Sequence, residues 1–291
     1  MLTLTAEGVE PLALDRSLGW VVRAVDLGSP DVREVINDRP NADGAIDTTT
    51  HVGARPVVLN LRLVSHPNQQ LSLAGMVDRL ALFASPKLRA TLIIEDGLRQ
   101  VSGLRGVPLV APITTPTHRD VTLSFVAANG IIESVTLNVE TVFPSSGENQ
   151  ADGIEFDGIE FDGVEFPAVD APGVGQITNA GNFDAYPLLR LFGPFGDEGN
   201  AADETVVGNL TTGRTLTLVG TAIAAGDYLE IDTRAKTLRV NGLASQSRQN
   251  RLKFPESRWF TLVPAGNEIA FRPDTVSGNA QAEIRWRDAY L

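Results

Sequence analysis

The sequence predicts a mainly β protein, with an antiparallel β domain carrying one packed helix over residues 1–145 and an antiparallel β-sandwich over residues 173–291. Three observations predict it. Apolar residues alternate at period two through the first block, a 3.6-residue period occurs there once, and in the second block short strands and turn signals alternate every ten residues or so. Residues 146–172 separate the blocks as an acidic linker, in which Asp152 to Phe166 reads DGIEF DGIEF DGVEF.

In the first block, RPVVLNLRLVS places Val57, Leu59, Leu61 and Leu63 on one face and Val58, Asn60, Arg62 and Val64 on the other, the alternation of a half-buried strand. RDVTLSFVA repeats it with Val121, Leu123, Phe125 and Ala127 inward, and SVTLNVETVF with Val135, Leu137, Val139 and Phe143. Between these strands, NQQLSLAGMVDRLALFASP spaces Leu73, Met76, Val77, Leu80, Phe83 and Ala84 at offsets 0, 3, 4, 7, 10 and 11, which predicts a helix over about 70–84. Pro86 ends it. A lone helix among strands must cover a sheet, so its stripe is core.

In the second block the clearest strands are YPLLRLFGP, RTLTLVG, DYLEIDT, KTLRVNG, NEIAFRP and AEIRWRDAY. DYLEIDT and KTLRVNG predict a hairpin with Leu229 and Ile231 opposite Leu238 and Val240 around a turn near Arg234. The last strand puts Ala282, Ile284 and Trp286 on one face and Glu283, Arg285 and Arg287 on the other, which makes Trp286 a core residue. An antiparallel sandwich closes such a pattern.

Charge is distributed unevenly. Residues 1–145 carry 12 Lys and Arg against 15 Asp and Glu, residues 146–172 carry none against 8, and residues 173–291 carry 12 against 13, within a net charge of −12. The acidic surplus therefore sits in the linker, and no basic surface indicates nucleic-acid specificity. No basic segment leads into an apolar one at the start, and no apolar run approaches membrane-spanning length, so neither a signal peptide nor a membrane span is expected.

Catalytic and metal signatures are missing. There is no cysteine, which excludes disulfides, thiolate metal sites and a Cys-His nucleophile. His51, His66 and His118 are too far apart for an HExxH helix or a zinc finger. No GxSxG elbow appears. The glycines of GLRGVPL and LFGPFGDEG miss phosphate-loop and dinucleotide spacings and read as turns. Asn209 in NLT matches a glycosylation acceptor, a chance match in a chain with no secretory signal. No catalytic residue, cofactor or metal ligand is expected. The surviving candidates are binding residues: Trp259 and Tyr228 as carbohydrate-stacking rings.

The second block resembles the C-terminal region of siphophage distal tail proteins and related minor tail proteins. The resemblance rests on YPLLRLFGPF, GNLTTGRTLTL, GDYLEIDTRAKTLRVNG, WFTLVPAGNEIAF and AEIRWRDAYL, in that order. NADGAIDTTTHVGARPVVLNLRLVS in the first block resembles the family segment in which a DG turn precedes an Arg-led strand. The resemblance implies a structural virion protein: an N-terminal domain assembling as a hexameric ring between the tail tube and the tail hub, and a galectin-like C-terminal sandwich. Its implied partners are copies of itself, the tail-tube protein and hub or tip proteins, and its location the virion tail tip, assembled in host cytoplasm. Attachment to a cell-surface glycan is the alternative function.

The repeat matches nothing in that family. Its five-residue period would throw Ile154 and Phe156 to one face of a continuous strand and Ile159 and Phe161 to the other, so one long amphipathic strand is excluded. Three copies are too few for a solenoid. A solvated charged linker accounts for the carboxylates but not for Ile154, Phe156, Ile159, Phe161 and Phe166. These residues are expected to dock, as an added edge strand or on a neighbouring subunit.

Overall fold

The computed structural model describes residues 1–33, 36–38, 45–47, 51–65, 71–94, 97–112, 115–144, 173–276 and 279–291. They form two compact units: Met1–Thr136 together with Tyr290–Leu291, and Leu137–Ala289.

The first unit contains β1 (Leu2–Ala6), β2 (Val9–Leu14), β3 (Trp20–Asp26), the short strands β4 (Val32–Arg33), β5 (Ile36–Asp38), β6 (Ala45–Asp47) and β7 (His51–Val52), then β8 (Arg55–Val64), α1 (Leu73–Phe83), β9 (Ala90–Ile94), β10 (Arg99–Gly106), β11 (His118–Ala127) and β12 (Ile132–Ser134). The main sheet runs β2-β1-β9-β10-β11-β8-β3, while among the described residues β4 pairs β7 and β5 pairs β6. β8 and β11 pair antiparallel over ten positions, with Val57 opposite Phe125, Leu59 opposite Leu123 and Leu61 opposite Val121. All six are buried, as the alternation predicts.

The helix also follows its sequence pattern. Ser72 accepts the Gly75 amide at its start, Met76, Leu80 and Phe83 are buried, and helical structure stops before Pro86. Its C-terminal end lies directly on β10. A Cβ added to Gly106 would fall 2.3 Å from the Ala84 carbonyl carbon, so only glycine lets the helix end and the strand approach this closely. GLRGVPL is accordingly not a simple turn: Gly103, with φ +68, sits where the β9/β10 register shifts, and Gly106 closes β10. Sequence reading assigned no element to residues 2–26, yet Leu4, Leu12, Leu14 and Trp20 from β1, β2 and β3 enter the same core.

The second unit contains β13 (Asn138–Val142), β14 (Val174–Asn179), β15 (Leu188–Phe192), β16 (Glu204–Asn209), β17 (Arg214–Val219), β18 (Tyr228–Asp232), β19 (Thr237–Val240), β20 (Ala265–Pro273) and β21 (Gln281–Trp286), and β22 (Ala289–Tyr290) ends the chain. Two antiparallel sheets result, β13-β21-β15-β18-β19 and β14-β20-β16-β17. The predicted hairpin is present, with Leu229 opposite Val240 and Ile231 opposite Leu238. Its turn is held by Asp232, whose Oδ1 accepts the Arg234 and Ala235 amides at 2.9 and 2.8 Å. Trp286 is buried, and its indole donates to the Thr178 carbonyl.

Two expectations change at the boundary between blocks. The strand in SVTLNVETVF, expected in the first block, groups with the second compact unit, which starts at Leu137. Its inward face is also the opposite one. Register with β21 places Val142 opposite Ala282 and Asn138 opposite Trp286, which leaves Leu137, Val139 and Phe143 exposed at 46%, 48% and 61%. β13 and β14, the described strands on either side of residues 145–172, both belong to the second unit.

Candidate functional site

Among the described residues, the chemistry sits on sheet faces and strand ends rather than in a deep cleft. In the first unit, the face of β8 and β11 opposite the buried set carries Arg62 and Asp120, register partners joined by two hydrogen bonds of 2.6 and 2.8 Å. That bidentate contact holds the Asp120 carboxyl below, and the Arg62 guanidinium above, their ordinary values. With Arg23, Asn60 and Thr122 the pair lines a shallow open depression. Its floor is already hydrogen-bonded, because Thr122 also donates to Asn60.

Arg55 opens β8 and is almost fully buried. Its Nε donates to the Gly130 carbonyl at 2.8 Å and one terminal nitrogen to the Gly28 carbonyl at 2.9 Å, while the other terminal nitrogen finds no acceptor. Burial lowers its pKa. The side chain ties the end of the β3 segment to the β11–β12 turn, at the point where the chain enters and leaves the short strands β4 to β7. Sequence reading used the Arg-led strand only as part of a resemblance. A buried arginine bonded to two carbonyls leaves no periodic signal.

Of the two candidate stacking rings, Tyr228 is on a strand and Trp259 is not. Tyr228 is half-buried on β18, with Phe192 at 5.6 Å between centroids and the Arg190 guanidinium 5.0 Å from its ring centre. Arg190 also bonds Glu230 at 3.1 Å. Cation and aromatic neighbours therefore take up part of the ring surface a sugar would cover. Trp259 is half-buried beside β17, between Arg258, whose amide donates to the Thr215 carbonyl, and the buried Phe260. Ile154, Phe156, Ile159, Phe161 and Phe166 lie outside the described residues.

Asn209, the glycosylation match, has no exposed surface. Its amide nitrogen donates to the Thr261 carbonyl and to Asn267 Oδ1, both at 2.8 Å, so it is a structural residue of the sandwich. His118 bonds Thr115 through Nδ1 at 2.7 Å, the His51 side chain and His66 lie outside the described residues, and no three His, Asp or Glu side chains among the described residues are arranged to hold a metal ion. No helix among them is long and apolar enough to cross a membrane.

Among the described residues, the polar side chains at Arg55, Arg62, Asp120, Asn209, Asp232 and Asn267 hold strands and turns in the two antiparallel β units. Residues 195–290 match the siphovirus-type tail component, C-terminal domain. The fold of the whole chain is similar to the crystal structure of the Dit protein of phage SPP1, described as a paradigm of the hub adsorption apparatus in phages infecting Gram-positive bacteria. That match has a TM-score of 0.61 at 13% identity and covers 100% of each chain. A chain in the activated, calcium-containing baseplate of phage P2 aligns over 98% of each chain, at 9% identity and a TM-score of 0.44. No curated protein sequence matches. Residues 195–290 thus match a siphovirus-type tail component domain, and the resemblance in GNLTTGRTLTL through AEIRWRDAYL falls within that stretch but for the last residue.

Proposed function

We propose that the protein forms a ring at the distal end of a long non-contractile tail tube and joins the tube to the hub. The observation that carries this reading is the tail-component domain at 195–290 within a chain whose fold follows the SPP1 hub protein over its full length. The first unit is the ring-forming part. Its edge strands β2 and β3 each have one ladder partner in the main sheet, and unpaired edges are surfaces on which subunits associate. The second unit faces other tail proteins, and the tube protein and hub proteins are the partners.

Light scattering on the purified chain, followed by negative-stain imaging, tests this. A closed ring of about six subunits with a central hole is expected. A chain that stays monomeric both alone and when mixed with its tube and hub proteins overturns the reading. Glycan attachment through Tyr228 or Trp259 is the weaker proposal, since Arg190 and Phe192 already contact the Tyr228 ring. Glycan-array binding that disappears in Trp259→Ala would revive it.

A further inference from the structure

The outward face of β13 is an apolar stripe with no cover among the described residues. Leu137, Val139 and Phe143 repeat at even spacing, with Thr141 between them, and all three apolar side chains are exposed. Among the described residues β13 is also the terminal strand of its sheet, with β21 as its one ladder partner, so one row of its backbone groups has no described strand beside it. Natural edge strands normally carry charge, proline or a bulge on such a surface. This one carries two aliphatic side chains and a phenylalanine.

We infer that the acidic repeat of the same chain covers this stripe, one DGIEF copy at a time. The chain leaves β13 at Phe143 and returns at Gly173. These two ends lie close together, since a Cβ added to Gly175 of β14 would fall 2.3 Å from Val142 Cγ2 of β13. A segment anchored at both ends beside a surface meets it at an effective concentration on the order of millimolar, ahead of a second molecule in dilute solution. Residues 144–151 extend to roughly 26 Å, and β13 is about 17 Å long, so the first copy reaches any part of the strand.

The pattern of the repeat fits the stripe. Within one copy, Ile154 and Phe156 are two residues apart and share a face, which matches the period of Leu137, Val139 and Phe143. Because the five-residue period reverses the face from copy to copy, only one copy at a time can lie on the stripe. Three near-identical copies supply three interchangeable occupants, and their carboxylates keep the unused ones soluble.

Hydrogen exchange tests the inference on the full chain, on a variant lacking residues 152–166, and on Phe156→Ser/Phe161→Ser/Phe166→Ser, which keeps chain length and charge. In the full chain the residues 138–142 amides that do not bond β21 should be protected; in both variants they should exchange at least about tenfold faster, while β15 and β18 stay protected. An apolar dye should bind the variants more strongly than the parent. If the deletion also loosens β15 and β18, the serine variant alone decides. Unprotected β13 amides in the full chain overturn the inference, as does exchange unchanged in the serine variant. Protection that falls as the full chain is diluted overturns it too, because a second copy would then be the cover.

Discussion

Asn209 Nδ2 donates to Asn267 Oδ1 at 2.8 Å, joining β16 to β20 through two side chains with no exposed surface. Both amides are fully engaged. Asn209 Oδ1 also accepts the Thr211 amide, and Asn267 holds the approach to β20 through the Val263 amide and the Val263 and Ala265 carbonyls. The second unit therefore rests on a buried polar joint as well as on an apolar core. Asn209→Ala should destabilise that unit by about 2–4 kcal/mol, because it strands the Thr261 carbonyl and removes a donor to Asn267. Denaturant unfolding measures this, and a loss below ~0.5 kcal/mol would show that the joint contributes little.

Contact between the helix end and β10 gives a second prediction. Gly106→Ala introduces a Cβ into space held by Ala84 backbone atoms. Neither partner is the flexible end of a side chain. The substitution should cost about 2 kcal/mol or more and lower the melting temperature of the first unit, with Gly106→Val worse than Gly106→Ala. Equal melting temperatures for the chain and Gly106→Ala would contradict the close approach.

Arg55 spans two carbonyls from a buried position. Arg55→Ala should destabilise the first unit by about 2–4 kcal/mol, since both the Gly28 and Gly130 carbonyls lose their charged donor. Arg55→Lys keeps the charge but cannot reproduce the forked geometry, so it should recover only part of the loss. Full recovery by lysine in thermal unfolding would mean that charge, rather than bidentate bonding, is what the site needs.

Protons act on the Arg62–Asp120 pair in a defined direction. The Arg62 hydrogen bonds lower the Asp120 pKa from its ordinary value of 3.8, so the folded pKa lies below the unfolded one. The contribution is then fully present above the unfolded value and is lost as pH falls through the folded value. A chain with Asp120→Asn should be less stable than the parent at neutral pH, and the gap should narrow in acid. A gap that widens as pH falls would contradict the assignment.

Much of the fold was legible because period two survives wherever one face of a strand meets a core. Val57 to Leu63, Val121 to Ala127 and the Leu229/Val240 hairpin all follow it, and the helix stripe follows period 3.6. The strand at residues 138–142 misled for a physical reason. It is an edge strand with apolar residues on its outer face, so parity pointed to Leu137 and Val139 when register with β21 buries Val142. Strands β1, β2 and β3 were passed over, although Leu4, Leu12 and Trp20 are core residues. Site residues were less legible still. The contacts that matter at Arg55, Asn209 and Tyr228 join residues distant in sequence, and neither spacing nor composition encodes them.

Gold-labelled antibody raised against the second unit, applied to intact particles of the phage that carries this protein, tests the central claim most directly. Label concentrated at the distal end of the tail, where tube meets hub, is the result the account predicts. Label spread along the tube, confined to the head, or absent from particles that contain all other tail proteins would contradict it.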